Sequence, residues 1–176
     1  MSEEPTVESR NVFEGKIINV RVDTVGMPAG KLATREIVEH AECVCVVPLD
    51  GKGNVVMVRQ YRKPTEEHLL EIPAGNVDPG EEPRQTVIRE LREETGFTAD
   101  KIEHICSFWT TPGFTNELMH AYMATDLHPG QMQLDEDEIL NVITLPLKAV
   151  VPMIRNGEIR DAKSIASLML VFNSFL

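Results

Sequence analysis

Residues Gly75 to Phe97 read GNVDPGEEPRQTVIRELREETGF, and within this stretch Pro83 to Thr95 carry the signals of a helix. A proline opens the segment, and Glu81 and Glu82 lie where the positive end of a helix dipole favours anions. Gly96 follows as a helix stop. The stretch therefore predicts a single helix with defined ends.

Three carboxylates share one face of this predicted helix. Glu90 and Glu94 lie about 40° apart around the axis and about 6 Å apart along it, and Glu93 lies about 60° from Glu90 on the other side. Like charges at this spacing repel, so the face is either freely solvated or covered by a cation. Carboxylate oxygens suit Mg²⁺ or Mn²⁺, and Arg89 is one turn from Glu93, which it can orient and keep ionised. The helix alone is compatible with a solvated face and with a cation site, and a solvated face is the commoner of the two.

The spacing of the whole stretch is more specific than the helix. Counted from Gly75, five residues precede Glu81 and seven more precede Arg89-Glu90-Leu91, which Arg92, Glu93-Glu94, Thr95, Gly96 and Phe97 follow. At every defined position this pattern resembles the Nudix box of the nucleoside diphosphate-linked-moiety hydrolases. The resemblance implies a Nudix-type fold, an α/β/α sandwich with a central mixed β-sheet.

The resemblance also implies roles for individual residues. Glu90 and Glu94 are expected to bind divalent metal ions, Mg²⁺ with Mn²⁺ as a substitute. Glu93 is expected to be a further ligand or to assist a water held by the metal, and Arg89 to orient Glu93. The backbone carbonyl of Ala74 is an expected additional ligand.

Strand patterns and turns surround the box. Residues 1–10 are polar and predict a flexible N-terminus, and residues 11–40 predict an N-terminal β-hairpin that can serve dimerisation. The nearly all-apolar residues 42–48 predict a strand buried on both faces, which forms a second hairpin with residues 55–60. More strands and two terminal helices follow, so residues 41–176 predict the hydrolase domain, of α/β or α+β class.

Composition and charge bound the class of protein. The 176 residues suit one compact domain, and 17 Lys and Arg against 28 Asp and Glu give a net charge of −11. This charge argues against nucleic-acid binding through neutralised phosphates, and an anionic substrate would need a metal ion or a few well-placed arginines. No apolar run reaches the roughly 20 residues of a membrane helix, and no signal-peptide pattern begins the chain, so a cytoplasmic protein is expected. Cys43 and Cys45, two of three cysteines, point to one face of a strand and predict buried reduced thiols.

Segments outside the box resemble the ADP-ribose pyrophosphatase branch of the Nudix family. Pro112, fifteen residues beyond the end of the box, is placed with Glu117 like the downstream marker of that branch, although Pro-Gly is also a common turn. VRQYRKP and LLEIPAG are similar to the same branch, and there Arg62 is expected to contact phosphate and Glu71 to shape the substrate pocket. Arg59 competes with Arg62, because the two arginines lie three apart and only one is expected to face the site.

An acidic run, residues 135–138, offers a further catalytic group. Four successive acids are usually a solvated loop, but this run resembles the mobile loop that supplies a catalytic Glu in the ADP-ribose branch. Glu136 is the preferred candidate and Glu138 stays open beside it.

The resemblance finally implies an assembly and a reaction. The branch commonly forms homodimers in which N-terminal strands complete the partner's nucleoside site; Arg35, Glu36 and His40 lie where such contacts would arise, although a lone His after a strand is more often structural. The expected reaction is the Mg²⁺-dependent hydrolysis of ADP-ribose to AMP and ribose 5-phosphate. Another nucleoside diphosphate derivative (a nucleoside diphosphate sugar, NADH or FAD) or a nucleoside triphosphate stays open as the substrate. A non-catalytic module that senses ADP-ribose or NAD is the alternative from a different class, although such modules usually have a broken box.

Overall fold

A computed structural model of the chain describes residues 3–134 and 139–174, and these form two compact units. The first unit takes the chain up to Glu42 together with residues 109–118, and the second takes the remainder. Within the first unit, the N–H of Val38 donates to the carbonyl of Phe114 (2.8 Å), and the N–H of His40 donates to Oδ1 of Asn116 (2.8 Å). The N-terminal unit is therefore discontinuous in sequence, which the predicted boundary at residue 40 does not anticipate.

The first unit is a three-stranded antiparallel meander, which contains the predicted N-terminal hairpin and one further strand. Its strands are β1 (Thr6–Glu14), β2 (Ile18–Gly26) and β3 (Leu32–His40), with β2 in the centre. Residues 6–10, predicted to be flexible, pair with β2 as the first half of β1, with a register shift between Thr6 and Glu8. The hydrophobic pattern of these residues did not predict a strand, because every residue of β1 is exposed and the strand has no alternation of apolar and polar residues.

The second unit contains two sheets and three helices. Its elements are β4 (Cys43–Pro48), β5 (Asn54–Arg62), β6 (Glu67–Glu71), β7 (Ala74–Asn76), α1 (Pro83–Thr95), β8 (Phe97–Trp109), β9 (Leu118–Pro129), β10 (Leu140–Pro146), α2 (Val150–Arg155) and α3 (Ala162–Ser174). One sheet has the order β7-β4-β9-β8 and the other has the order β10-β5-β6. Among the described residues, no helix is long and apolar enough to cross a bilayer.

Strand β4 is the centre of the layered arrangement. It pairs antiparallel with β7 and parallel with β9, so its sheet is mixed. Val44 and Val46 pack with the apolar side of α1, whereas Cys45 and Val47 point to the opposite face and belong to the core that includes Leu168 of α3. The predicted α/β/α sandwich with a mixed sheet is therefore confirmed, and the thiols of Cys43 and Cys45 are buried and reduced as expected.

The predicted hairpin between β4 and β5 is wrong. Asp50 does form the expected turn, since its Oδ1 accepts the N–H groups of Lys52 and Asn54, both at 2.8 Å. However, β4 and β5 lie in different sheets, and β5 pairs with β6 and β10 instead. A strand buried on both faces lies in the middle of a sheet, and here both of its edges are occupied by strands from elsewhere in the chain.

Candidate functional site

Helix α1 has the predicted bounds because both of its ends are fixed by the sequence. Glu82 is the N-cap residue, and its N–H donates to Oε1 of Gln85 (3.4 Å). Gly96 adopts the left-handed conformation (φ 72°), and its N–H donates to the carbonyl of Arg92 (2.8 Å). These ends set the rotation of the helix, which buries Val87 and Leu91 in the core and places Glu90 and Glu94 beside them on the same buried side.

Two of the three box carboxylates are buried. Glu94 is 2% exposed and Glu90 is 9% exposed, while the Glu93 side chain is 24% exposed. The N–H of Ala74 donates to Oε2 of Glu94 at 3.2 Å, so the chain leading into the box lies against this carboxylate. Buried like charges one helical turn apart are costly unless positive charge lies nearby, which makes this face suited to a cation.

Arg89 connects the carboxylates with one another. Its Nη1 donates to Oε1 of Glu90 (2.7 Å) and to Oε2 of Glu93 (3.1 Å), so the predicted contact with Glu93 is present. Its Nη2 donates to Oε2 of Glu81 (3.1 Å) and to the carbonyl of Asn76 (3.2 Å). A single guanidinium therefore orients two box carboxylates while it ties the loop before the helix to the helix itself.

The arrangement fits a hard divalent cation. The donors on α1 are carboxylate oxygens, which such cations prefer. A Cβ atom on Gly75 would lie 2.0 Å from Oε1 of Glu90, so the absence of a side chain at residue 75 leaves the space that this carboxylate occupies. Glu90, Glu93, Glu94 and the Ala74 carbonyl are the groups that would hold the ion.

Arg62 and Glu71 form a second group of charges. Nε and Nη2 of Arg62 donate to the two oxygens of Glu71, each at 2.9 Å, and Lys163 also donates to Oε2 of Glu71. Glu71 is 1% exposed; burial would raise its pKa, but the hydrogen bonds from Arg62 and the charge of Lys163 lower the pKa to about 2. The pKa of Arg62 is raised by Glu71 first and also by the charge of Glu94, so this pair lies within electrostatic reach of the box.

The structure distinguishes Arg62 from Arg59. Glu71 is directly opposite Val58 in the antiparallel ladder. Arg62 is four residues from Val58 and projects to the same face, whereas Arg59 projects to the other face. Arg59 is exposed, and of these two arginines Arg62 is the one that contacts Glu71.

The protonation of Glu71 at acid pH should lower the free energy of unfolding. A carboxyl group whose pKa falls on folding contributes stability above its unfolded pKa, near 4.5, and loses it as the pH falls towards its folded value of about 2. The difference in unfolding free energy between the wild type and Glu71→Gln should therefore be constant above about pH 5 and shrink by about 1.4 kcal/mol per pH unit below about pH 4. Urea unfolding from pH 7 to pH 3 measures it, and a difference independent of pH would contradict the ionised pair.

Other predicted site residues belong to the first unit or fall outside the described residues. Pro112 and Glu117 belong to the first unit, where a carboxylate oxygen of Glu117 accepts the hydroxyl of Thr110 at 2.6 Å. Glu136 and Glu138 lie outside the described residues.

The residues proposed for dimer contacts, Arg35, Glu36 and His40, also lie in the first unit. Arg35 donates to both carboxylate oxygens of Glu4, at 2.8 and 2.7 Å. A ring nitrogen of His40 is 2.8 Å from the carbonyl of Ala41. Local contacts thus hold two of these three side chains.

The sequence interpretation missed the contribution of helix α3. The helix begins at Ala162, and Oδ2 of Asp161 accepts the N–H of Ser164 (2.9 Å) as an N-cap does. An Asp directly before an apolar helical pattern was an available signal for this start. Lys163 carried a weaker signal, namely a cation in the first helical turn, where the helix dipole disfavours it.

Comparisons with known proteins agree with this geometry. Residues 39–168 match the family described as NUDIX domain, and residues 4–38 match the nucleoside diphosphate sugar hydrolase N-terminal domain. The chain is 42% identical over 164 residues to an ADP-ribose pyrophosphatase of Bacillus subtilis (strain 168), covering 92% of this chain and 89% of that protein. It is 40% identical over 168 residues to a methanol dehydrogenase activator of Bacillus methanolicus, covering 94% and 91%.

A relative from another genus and a solved structure extend these matches. An ADP-ribose pyrophosphatase of Mycobacterium tuberculosis (strain ATCC 25618 / H37Rv) is 37% identical over 169 residues, covering 94% of this chain and 82% of that protein. A crystal structure of an ADP compounds hydrolase superposes with a TM-score of 0.88 at 24% identity, covering 97% of this chain and 93% of that chain, which supports the fold. With the box, its buried carboxylates and a family match over most of its length, this chain belongs to the Nudix hydrolase family.

Proposed function

We propose that this protein hydrolyses ADP-ribose to AMP and ribose 5-phosphate with Mg²⁺ as its metal ion. The proposal is carried by two groups of charges in the second unit, the buried box carboxylates Glu90 and Glu94 and the hydrogen-bonded pair of Arg62 and Glu71. The first group suits the cation and the second suits a phosphate oxygen. Relatives at 42% and 37% identity that are named ADP-ribose pyrophosphatase support the choice of substrate.

Some residues of the proposed site would hold the metal ion, and others would orient the carboxylates or bind the phosphate. Glu90, Glu93, Glu94 and the Ala74 carbonyl would hold Mg²⁺, and Mn²⁺ would substitute for it. Bound there, the cation supplies positive charge to the diphosphate and lowers the pKa of a nearby water. Arg89 keeps two of the carboxylates oriented, and Arg62 is proposed to bind a phosphate oxygen while its other edge remains on Glu71.

Two groups of residues outside the box also belong to the proposal. A glutamate of the acidic run would position or deprotonate the attacking water. Glu136 is the preferred candidate and Glu138 is the alternative. Pro112 and Glu117 are proposed to bind the substrate. In the reaction, a water oxygen forms a bond to one phosphorus, the bridging P–O bond breaks, and the proton of the water leaves through the base.

A substrate panel tests the proposed function. Purified protein with Mg²⁺ is incubated separately with ADP-ribose, GDP-mannose, NADH, FAD and a nucleoside triphosphate, and the products are separated by anion-exchange chromatography. The expected result is equal amounts of AMP and ribose 5-phosphate from ADP-ribose, at a higher kcat/KM than for any other compound. A clear preference for another compound would overturn ADP-ribose as the substrate and leave the hydrolase assignment in place.

Two alternatives remain tied to specific outcomes of this panel. A nucleoside diphosphate sugar is the first, and a GDP-mannose pyrophosphatase of Yersinia pestis (strain Pestoides F) is 35% identical over 127 residues, covering 66% of this chain and 63% of that protein. A module that binds ADP-ribose or NAD without turnover is the second. Calorimetric binding of ADP-ribose without product formation would support the module, whereas the intact carboxylate set favours the enzyme.

The assembly and compartment belong to the same proposal. We propose a homodimer formed through the N-terminal strands, since Val7, Phe13 and Leu32 of the first unit expose 63%, 54% and 64% of their surface. Light scattering measures the mass, and a value of 19.7 kDa at assay concentrations would contradict the dimer. The reduced state of the buried cysteines fits the expected cytoplasmic location.

A further inference from the structure

Lys163 is the most buried cation of the second unit outside the box, and nothing in the proposed chemistry uses it. Its side chain is 13% exposed, and its ammonium group contacts Oε2 of Glu71 and Oδ1 of Asp161, the latter at 3.1 Å. Burial lowers the pKa of Lys163, but Asp161 and Glu71 more than offset this effect, so the pKa lies above its ordinary value. The ammonium group is therefore charged and held between two carboxylates.

The position of Lys163 in its helix is unfavourable for a cation, which argues that the residue has a specific role. It is the second residue of α3, where the positive end of the helix dipole disfavours a cation. Surface lysines are rarely buried there without a partner, because desolvation and the dipole act in the same direction. The carboxylates of Glu71 and Asp161 are what make this position tolerable.

The first turn of α3 is also tied to the strand end that leads into the box. Oδ2 of Asp161 accepts the N–H and the hydroxyl of Ser164, at 2.9 and 2.5 Å. The hydroxyl oxygen of Ser164 in turn accepts the N–H of Ile72 at 2.9 Å. Two residues later, the N–H of Ala74 binds Glu94. The turn therefore holds the residue next to Glu71 through the backbone while Lys163 holds the Glu71 side chain.

Glu71 has cations on both of its sides. Arg62 binds both carboxylate oxygens through Nε and Nη2, and Lys163 binds Oε2 from α3. Arg62, Lys163, Glu71 and Asp161 together carry no net charge, so removing Lys163 leaves one negative charge in excess. The remaining carboxylates would then compete for the guanidinium of Arg62 and draw it from its present orientation.

We propose that Lys163 is a positioning residue that fixes Glu71 and, through it, holds the Arg62 guanidinium in place for a phosphate group of the substrate. The inference rests on the proposed function, because it names a residue that serves the same site. Lys163 itself does not contact the substrate in this proposal, since its ammonium group is engaged by Glu71 and Asp161.

A double-mutant cycle tests the proposal. ADP-ribose binding is measured by calorimetry in EDTA, where turnover is absent, for the wild type, Lys163→Met, Arg62→Ala and the double variant. Lys163→Met should weaken binding by roughly tenfold or more in the wild-type background, since misplacing a binding group by about 1 Å has effects of this size. It should have almost no further effect in the Arg62→Ala background, because a residue that acts through Arg62 has nothing left to position.

The kinetic counterpart of this cycle separates positioning from general destabilisation. In Mg²⁺, Lys163→Met should raise KM more than it lowers kcat, whereas loss of folded protein lowers the apparent kcat alone. Arg160→Met is the matched control. Arg160 is three residues before Lys163 and contacts Glu67, which lies in β6 like Glu71, but the Arg160 side chain is 53% exposed. This control should bind ADP-ribose like the wild type.

Further outcomes keep the proposal distinct from the proposed function. Wild-type binding by Lys163→Met, or an equal loss in both backgrounds, would overturn the positioning role. If Lys163→Met does not fold, Lys163→Gln, which keeps hydrogen-bonding capacity without the charge, takes its place in the cycle with the same expected results. If the wild type neither binds ADP-ribose in EDTA nor hydrolyses it in Mg²⁺, the proposed function fails, and the cycle is run with inorganic pyrophosphate, since the role of Arg62 concerns phosphate.

Discussion

Glu94→Gln is expected to lower kcat/KM for ADP-ribose in Mg²⁺ by roughly a hundredfold or more, about 3 kcal/mol of transition-state stabilisation. Glu94 is 2% exposed and lies one turn from the buried Glu90. Gln has nearly the same shape, and its carbonyl oxygen can still accept the N–H of Ala74. The substitution therefore removes one negative charge from the proposed metal site and leaves the packing in place. Steady-state kinetics with product detection measures the effect.

Thermal unfolding shows whether this loss comes from the metal. In EDTA, Glu94→Gln should be at least as stable as the wild type, because one of two neighbouring buried charges is gone. Added Mg²⁺ should raise the Tm of the wild type more than that of the variant, since a ligand stabilises the state that binds it. Glu103→Gln, on an exposed position of β8, serves as the control and should retain wild-type activity. Normal turnover by Glu94→Gln would refute the assignment of the metal site.

Local sequence signals were sufficient for helix α1 and its carboxylate face. The bounds of α1 depend on a proline, an N-cap residue and Gly96, all within one turn of its ends. The common face of Glu90, Glu93 and Glu94 follows from helical geometry alone. The alternation of side-chain direction along β4 is likewise a local property, and it correctly placed Cys43 and Cys45 on one face. Features of this kind can be predicted because the interacting residues are neighbours in the chain.

Features that depend on distant residues could not be predicted in the same way. A turn at Asp50 was correctly expected, but the partners of β4 and β5 come from strands far along the chain. The pairing of β1 left no hydrophobic pattern, because that strand is exposed throughout. Lys163 is 92 residues from Glu71, and only the folded chain brings these two charges together.

The choice between Arg59 and Arg62 shows the limit most clearly. Both arginines lie on β5, and their spacing alone indicates only that they face opposite sides. The register of β5 against β6 places Glu71 opposite Val58 and so selects the face of Arg62. Strand register is set by the pairing of whole strands, so this information is absent from either segment taken separately.

Gly75→Ala is expected to impair metal binding while the fold is retained. The added Cβ would lie 2.0 Å from Oε1 and 2.1 Å from Cδ of Glu90, so the carboxylate must move away from its present position. The atoms that must move are at the end of a flexible side chain, and so the Tm in EDTA should stay close to that of the wild type. The Mg²⁺ concentration for half-maximal activity should rise by roughly tenfold to a hundredfold, as is typical when the surroundings of a metal ligand are disturbed.

Gly51→Ala is the matched control, because no heavy atom of the described residues lies within 4 Å of a Cβ built there and the backbone is not left-handed. It makes the same chemical change in the turn before β5 and should leave the Mg²⁺ dependence of activity unchanged. High Mg²⁺ should partly restore the activity of Gly75→Ala, because a displaced carboxylate weakens binding of the ion without removing the other ligands. An unchanged Mg²⁺ dependence in Gly75→Ala would mean that Glu90 can leave its present position without cost, and it would then be excluded as a metal ligand at this site.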